Sequence, residues 1–309
     1  MRLGFPQSAG IGAIVLLVVA GIWGATLSFT KEALIVVGVN GFLALRFAVA
    51  TVALLPWVVR VKKESITVAN TLWSVALGGV LYGIFFLQSL GLKSVTTAAT
   101  GFITGTNVIM VPIITSLLFR TKVSRRVWLG IALTMVGLGF VAGRGLFSPM
   151  SGYWMVLASA FLIAVDIVAV EKVMASVDAM WLAFIEIATI AVISLVLSFQ
   201  SIEGGFGGIG TLTSASVISA VVFNGVLGSS FALWAQNYYQ AIVPSAQVAV
   251  IFSTEPVFTA LVAWIFFSGV VTLNVVLGGV LVLLGVTIAD EEAFEYLGSK
   301  LLLRRGEGR

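Results

Sequence analysis

Four charged residues lie inside long apolar stretches of the sequence, where a charge is costly to keep. They are one cation, Arg46, and three acids, Asp166, Glu186 and Glu255. A charged side chain at the centre of a bilayer costs about 2.5–3.5 kcal/mol on insertion scales, and such residues often mark substrate or ion paths. One cation cannot neutralise three acids by pairing. The surplus of acids therefore predicts a site for protons or for an amine-bearing or cationic solute.

Glu255 directly precedes Pro256 in the apolar stretch FSTEPVFTALVAWIFF, residues 252–267. Proline removes one backbone hydrogen bond and opens a helix locally. Two interpretations of Glu255 follow, and they are compatible with each other. The carboxyl group either bonds to backbone freed by the proline, or it binds a substrate amine or a proton. Asp166 also has two interpretations, neither of which is favoured: its carboxyl group binds a cation or a proton, or it bonds to a neighbouring helix.

The other two charges are expected to be structural or gating charges rather than direct binding groups. At 1.5 Å of rise per residue, Arg46 lies about 9 Å below the outer surface of its predicted span, whereas Asp166 and Glu186 lie in the inner half of theirs. Arg46 is therefore a poor direct partner for either acid. Glu186 has Thr189 one helical turn later, which favours a structural role.

Uncharged polar and aromatic residues recur in the same apolar stretches. Taken singly, each is explained by hydrogen bonding between helices, which is worth about 0.6 kcal/mol per bond. Their presence in so many stretches instead predicts a hydrated cavity. The candidate substrate- or proton-binding residues are Glu255, Asp166, Trp23, Tyr82, Gln88, Asn107, Trp234, Tyr238 and Gln247.

The composition of the 309 residues excludes several classes of protein. Hydrophobic residues make up 60% of the chain and charged residues only 10%, whereas soluble domains are about 25% charged. The chain is therefore predicted to be an integral membrane protein. It has no Cys and no His, which excludes disulfides, thiol chemistry and His-based metal sites. We expect no metal, no cofactor and no enzymatic activity.

The predicted fold class is an all-α polytopic membrane protein. A span needs roughly 20 apolar residues, and ten such stretches are joined by short loops. The predicted spans are 10–30, 40–59, 70–90, 98–119, 127–146, 151–171, 180–199, 216–239, 245–267 and 271–289. The first is interpreted as an uncleaved span, because its apolar core is too long for a signal peptide.

Basic residues are distributed unevenly between the two sides of the predicted membrane. With the N-terminus inside, thirteen Lys and Arg residues fall in inner segments and only Lys31, Lys93 and Arg144 fall in outer ones. Cytoplasmic loops carry the Lys and Arg excess. Both termini are therefore predicted to lie in the cytoplasm, with the protein in the cell membrane (the cytoplasmic or inner membrane).

The second half of the sequence repeats the first at an offset of 148 residues. Between positions 88–139 and 236–287, twelve residues are identical without a gap, including Gln88 with Gln236, Thr106 with Thr254 and Gly130 with Gly278. Earlier in each half the offset is 141. Five spans per half is an odd number, so the halves are predicted to be inverted relative to each other, as in many transporters. The predicted units are 1–146, 147–290 and a cytoplasmic tail, 291–309.

The sequence resembles the drug/metabolite transporter superfamily, and within it the ten-helix EamA type. The resemblance is carried by WGATLSFTKEAL (23–34), LALRFAVA (43–50), STEPVFTALVAWIFF (253–267) and LGGVLVLLGVTIA (277–289). Two departures are Asn107, which stands where the first half would carry an acid, and FSGVVT (267–272), which lacks a Gly-Glu charge pair. The resemblance implies export of amino acids, metabolites or drugs.

The sequence thus predicts a secondary transporter that moves a small metabolite by alternating access. A passive facilitator of a small polar solute is the alternative, and an intramembrane enzyme is not expected. The expected partners are a small-molecule substrate and the lipid bilayer, without nucleic acid. A homodimer is left open.

Overall fold

A computed structural model describes residues 9–61, 64, 66–120, 122–142, 151–199, 205–206, 213–266 and 272–289. Within these ranges the regular secondary structure is entirely helical. The helices are α1 (Ala9–Ala33), α2 (Val39–Val58), α3 (Val68–Leu92), α4 (Thr97–Gly105), α5 (Asn107–Phe119), α6 (Arg125–Ala142), α7 (Ser151–Val173), α8 (Ala179–Ser198), α9 (Ala215–Gly225), α10 (Ala232–Gln240), α11 (Ser245–Phe252), α12 (Glu255–Phe266) and α13 (Leu273–Ala289). A π-helical segment, Val226–Phe231, joins α9 to α10.

Eight continuous or nearly continuous helical segments in the described ranges are long and apolar enough to cross a membrane. They correspond to eight of the ten spans predicted from the sequence. The two remaining predicted spans coincide with α6 and with α13, which is a shorter apolar helix of 17 residues. The predicted cytoplasmic tail, 291–309, lies outside the described residues.

Polar residues in the short loops cap several of the helices. The side chains of Thr67, Thr96, Asp178 and Ser214 accept hydrogen bonds from backbone N–H groups in the first turns of α3, α4, α8 and α9. These first-turn N–H groups have no partner within the helix itself. The caps therefore define where these four helices begin.

Two of the predicted spans are broken helices. The predicted span 98–119 is divided at Thr106 into α4 and α5, which corrects the expectation of one continuous helix. The predicted span 245–267 is divided at residues 253–254 into α11 and α12, directly before Glu255 and Pro256. This second break agrees with the local opening that Pro256 predicts.

The same side-chain contact occurs at both breaks. The hydroxyl of Thr106 donates to the carbonyl of Ile103 at 2.5 Å, and the hydroxyl of Thr254 donates to the carbonyl of Ile251 at 2.7 Å. A hydroxyl that bonds to its own backbone competes with the helical hydrogen-bond pattern. Both breaks are thus built from residues of the same type at the same spacing.

Glycines allow the antiparallel pair α6 and α13 to pack at backbone contact. A Cβ atom on Gly130 would lie 2.6 Å from the carbonyl oxygen of Gly285, and one on Gly137 would lie 2.6 Å from that of Gly278. Small residues permit this close approach between helices in membranes. Other close pairs of helices are α2 with α8, α3 with α7 and α8, and α1 with α12.

Candidate functional site

A cavity of about 60 Å³ lies between the helices of the two halves of the chain. Since one water needs roughly 10–15 Å³ of such space, the cavity has room for several waters or a small polar group. Trp23, Gln88, Asn107, Asp166 and Glu255, five of the residues proposed from the sequence, line it. The other lining residues are Thr26, Leu81, Ile84, Phe85, Ile163, Ile167, Leu233, Gln236 and Phe252.

The two helix breaks deliver Asn107 and Glu255 to this cavity. Asn107 is the first residue of α5 and Glu255 is the first residue of α12. Asn107 is 4% exposed, and its side-chain nitrogen donates to the carbonyl of Thr104 at 2.7 Å. Its side-chain oxygen is buried without a hydrogen-bond partner.

The carboxyl group of Glu255 has no hydrogen-bond partner within the described part of the chain. Its backbone carbonyl accepts a hydrogen bond from the hydroxyl of Thr259 at 2.9 Å. This does not support the interpretation that the carboxyl group satisfies backbone freed by Pro256. The carboxyl group is instead available to whatever occupies the cavity.

Asp166 on α7 is held by Gln236 on α10. The amide nitrogen of Gln236 donates to one carboxylate oxygen of Asp166 at 3.3 Å, and the other carboxylate oxygen is buried without a partner. Asp166 is 3% exposed. Asp166 is therefore a lining residue that is held through one carboxylate oxygen and has no hydrogen-bond partner for the other.

Glu186 lies beside this arrangement but does not line the cavity. It is fully buried on α8, and one of its carboxylate oxygens accepts a hydrogen bond from the amide nitrogen of Asn237 at 2.8 Å. Its carboxyl group is close enough to Asp166 for their charges to interact. Adjacent amides on α10, Gln236 and Asn237, thus contact two acids from two different helices.

Arg46 makes no contact with these acids in the described structure. It is 3% exposed, donates from Nε to the hydroxyl of Ser229 at 2.9 Å and from Nη2 to the carbonyl of Gly228 at 3.4 Å, and lies 4.6 Å from the ring centroid of Phe85. This agrees with the expectation that Arg46 is not a direct partner of Asp166 or Glu186. Both of its hydrogen bonds go to the π-helical segment.

Trp23 connects the cavity to the π-helical segment. Its indole nitrogen donates to the carbonyl of Gly228 at 2.9 Å, which is the same oxygen that Arg46 approaches. Its ring packs edge-on against Phe252, at a centroid distance of 4.9 Å. The indole is therefore fixed at both its polar and its apolar end.

Four of the proposed residues lie outside the cavity lining. The hydroxyl of Tyr82 donates to Asn40 at 2.9 Å, and its ring stacks on Phe86. Trp234 and Tyr238 pack against each other on α10. Gln247 lies in the first turn of α11. The structure does not bring these four to the acids that line the cavity.

Nine lining residues were not among the candidates from the sequence, and Gln236, Thr26 and Phe85 are three of them. Gln236 is the repeat partner of Gln88, so the 148-residue offset was a signal that identifies it. Thr26 and Phe85 have no comparable signal, because single threonines and phenylalanines are common in membrane spans.

The chemistry of the cavity is that of an acidic recognition site. Its described lining contains two carboxyl groups, three side-chain amides and no basic residue. Aromatic rings of Trp23, Phe85 and Phe252 supply apolar surface. No group of three or more potential metal ligands among His, Cys, Asp and Glu occurs in the described ranges.

Comparison with known proteins gives a consistent result. An uncharacterized transporter of Archaeoglobus fulgidus is 26% identical over 278 residues, which cover 89% of this chain and 84% of that protein. A solved crystal structure has the same fold, with a TM-score of 0.74 at 18% identity, covering 92% of this chain and 98% of that one. The model of the EamA-like transporter family matches residues 10–143 and again residues 150–289. The chain therefore belongs to the EamA-like transporter family and is a membrane transporter.

Proposed function

We propose that the protein is a secondary transporter that exports a small metabolite (an amino acid, an amine or a drug-like solute) by alternating access. The substrate contacts the cavity through Glu255 and Asp166, with Asn107, Gln88 and Trp23 completing the site. The cavity is the point at which two inverted halves of the chain meet.

The observation that carries this proposal is the pairing of cavity residues by the internal repeat. At the offset of 148 residues, Gln88 pairs with Gln236, Phe85 with Leu233 and Asn107 with Glu255, and all six residues line the cavity. At the earlier offset of 141, Thr26 pairs with Ile167, which also line it. Equivalent residues of both halves thus contribute to one site.

Three further features support inverted halves. The family model matches the chain twice in succession. The helix breaks at Thr106 and Thr254 are 148 residues apart. In the antiparallel pair of α6 and α13, Gly130 contacts Gly285 and Gly137 contacts Gly278. At the 148-residue offset Gly130 is equivalent to Gly278 and Gly137 to Gly285, so the exchange of the two halves converts one contact into the other. Such an exchange is the behaviour of a two-fold axis.

Broken helices and inverted repeats have a known mechanical use. In many transporters the substrate site lies at the repeat interface, where interrupted helices expose polar groups near the midplane, and the halves exchange roles as the site opens to either side. With ten spans, five in each half, both termini would lie on the same side. The Lys and Arg bias of the loops favours the cytoplasmic side of the cell membrane.

A counterflow experiment tests the proposal. Vesicles containing the purified protein are preloaded with unlabelled solute and given the radiolabelled form, using L-phenylalanine and phenethylamine as probes because the cavity has aromatic walls and acidic groups. A carrier that alternates takes up label transiently against the total solute gradient, whereas a channel does not. We expect counterflow for at least one probe, strongly reduced in Glu255→Gln and unchanged in Glu32→Gln, which alters an exposed residue at the end of α1.

Imposed pH gradients separate a proton-coupled exporter from a passive facilitator. If protons are exchanged for solute, vesicles with an acidic interior accumulate labelled L-phenylalanine, which is not a permeant weak base, above its outside concentration. Equilibration to equal concentrations at every pH gradient would favour the facilitator. Absence of counterflow for both probes and for a broader set of amino acids and amines would contradict the carrier proposal.

A further inference from the structure

The cavity presents hydrogen-bond acceptors that the protein itself leaves unused. The side-chain oxygen of Asn107 and one carboxylate oxygen of Asp166 are both buried without a partner. The carboxyl group of Glu255 has no side-chain or backbone donor in the described structure and lines the same cavity. A buried acceptor without a donor costs about 1–3 kcal/mol, so a functional reason is expected for the two buried acceptors of Asn107 and Asp166.

The orientation of Asn107 follows from its surroundings. Its side-chain nitrogen lies 2.7 Å from the carbonyl oxygen of Thr104, which can only accept. The amide oxygen must then be the atom that is left free, because reversing the amide would place two acceptors against each other. The unused polar atom of Asn107, a lining residue, is therefore an acceptor and not a donor.

Cations are absent from the described lining of the cavity. Arg46 bonds to Ser229 and Gly228 and lies over the ring of Phe85, and it is not one of the lining residues. Among the three side-chain amides of the lining, the nitrogen of Asn107 is used by Thr104 and that of Gln236 by Asp166, which leaves the nitrogen of Gln88. A partner that carries both positive charge and several N–H groups would satisfy these acceptors and offset the two carboxyl groups.

We propose that Asn107, Asp166 and Glu255 form a subsite for a primary ammonium group. A primary ammonium has three donors, one for each of the three acceptors, and its positive charge offsets the buried carboxylates. A quaternary ammonium has the charge without any donor. The proposal deepens the proposed function, on which its relevance to transport rests, by assigning the substrate class as primary amines, including amino acids, rather than quaternary cations.

The aromatic walls orient the rest of such a solute. Trp23 and Phe252 are held at 4.9 Å from each other, and Phe85 lies on the same cavity. These rings exclude water from around the ammonium and favour an apolar body attached to it. A compact aromatic amine therefore combines both requirements and serves as a probe.

Equilibrium binding to the purified protein tests the subsite without requiring transport. The probes are phenethylamine and its N-methyl, N,N-dimethyl and N,N,N-trimethyl derivatives, with dissociation constants measured by calorimetry. Because each methyl group removes one donor, we expect affinity to fall along the series, with the quaternary compound roughly tenfold or more weaker than the primary amine. Equal affinities along the series, or no binding of any member at tens of millimolar, would overturn the proposal.

Variants test the individual acceptors. Asn107→Leu removes an acceptor at similar size, and we expect it to reduce the preference for the primary amine over the quaternary compound severalfold. Asn274→Leu is the matched control, since Asn274 is exposed at the start of α13. Should Asn107→Leu not fold, Asp166→Asn keeps the size of the side chain and is expected to weaken binding of the primary amine. An unchanged preference in a folded Asn107→Leu protein, or unchanged binding in Asp166→Asn, would remove that residue from the subsite.

The results also separate this inference from the proposed function. Selective binding of the primary amine without counterflow in vesicles would retain the subsite and reject the carrier. Counterflow without a preference among the four probes would retain the carrier and reject the subsite.

Discussion

Gly24 on α1 lies against the backbone of Glu255 at the start of α12. A Cβ atom on Gly24 would be 2.7 Å from the carbonyl oxygen of Glu255 and 2.8 Å from the backbone nitrogen of Thr259. Neither atom is the end of a flexible side chain, so neither can move aside without moving the helix. Gly24 therefore allows the half-helix that carries Glu255 to pack directly on the helix that carries Trp23.

Replacing Gly24 with alanine should consequently disturb the site as well as the fold. We expect Gly24→Ala to lower stability by about 1–3 kcal/mol, the usual cost of overpacking, and to weaken phenethylamine binding by displacing Glu255. Thermal unfolding and calorimetry on the purified protein measure the two effects. Gly79→Ala is the matched control, because no heavy atom lies within 4 Å of its added Cβ. Equal stability of the two variants would contradict the close contact.

The hydrogen bond between Asn237 and Glu186 provides a second prediction. Both residues are almost fully buried, at 1% and 0% exposed, and this bond is the only one that Glu186 makes through its side chain in the described structure. Asn237→Leu would leave that carboxyl group without a donor. We expect a loss of about 1–3 kcal/mol in the free energy of unfolding.

Reversible unfolding in mixed micelles measures this loss. Asn274→Leu, at an exposed position, controls for the change of residue type. The double variant Asn237→Leu with Glu186→Leu removes both partners and should recover part of the stability, because the unpaired buried acceptor is gone. A double variant that is less stable than Asn237→Leu alone would show that Glu186 has another stabilising role.

The sequence identifies both acids that line the cavity, but only part of the geometry of the cavity. Glu255 and Asp166 are identifiable because a carboxyl group in an apolar stretch has few structural explanations. The helix break at Thr106 was not predicted, since Pro112, the proline of that span, lies inside the continuous helix α5. The signal was the repeat itself, in which Ile103 and Thr106 recur as Ile251 and Thr254.

Other features have no local signature that could reveal them. The π-helical segment VLGSSF has an ordinary composition for a membrane span, and the side chains that donate hydrogen bonds to its Gly228 carbonyl, Arg46 and Trp23, are distant in sequence. Likewise, nothing in the spacing of Trp234, Tyr238 and Gln247 distinguishes a residue that lines the cavity from one that packs beside it. Tertiary contacts set the rotation of a helix about its axis. The sequence pattern does not reveal this rotation when both faces of the helix are apolar.

Binding of a primary amine should depend on pH. Protons and the ammonium group compete for the same carboxyl groups, Glu255 and Asp166, and Glu186 adds negative charge beside Asp166. We therefore expect the dissociation constant of phenethylamine to rise as the pH falls, since acid increases the occupancy of these groups by protons. Calorimetry over a range of pH in which phenethylamine itself stays protonated measures the effect.

The control for this pH dependence is the variant Glu255→Gln. With one of the two competing carboxyl groups removed, its dissociation constant should be larger at neutral pH and should change less as the pH is lowered. Glu32→Gln should retain the full dependence of the unmodified protein. A dissociation constant that is independent of pH in the unmodified protein would argue against direct contact between the ammonium and the acids.

Arg46 provides the last prediction, because its contacts require a guanidinium group rather than a positive charge alone. Nε donates to Ser229, Nη2 approaches the carbonyl of Gly228, and the planar group lies over the ring of Phe85. Lysine has a single ammonium that cannot reach both partners in this fixed geometry. We expect Arg46→Lys to lower the thermal unfolding midpoint clearly, whereas Arg60→Lys, at an exposed position beyond α2, should leave it unchanged.

The position of Arg46 also predicts that its replacement affects the wall of the cavity. Trp23 donates to the same carbonyl of Gly228, so loosening the π-helical segment should release the indole that forms one wall of the cavity. Arg46→Lys should then weaken phenethylamine binding although Arg46 does not line the cavity, and Ser229→Ala should reproduce a smaller part of the effect because it removes only the bond from Nε. Intact amine affinity in both variants, together with a lowered unfolding midpoint, would confine Arg46 to a structural role.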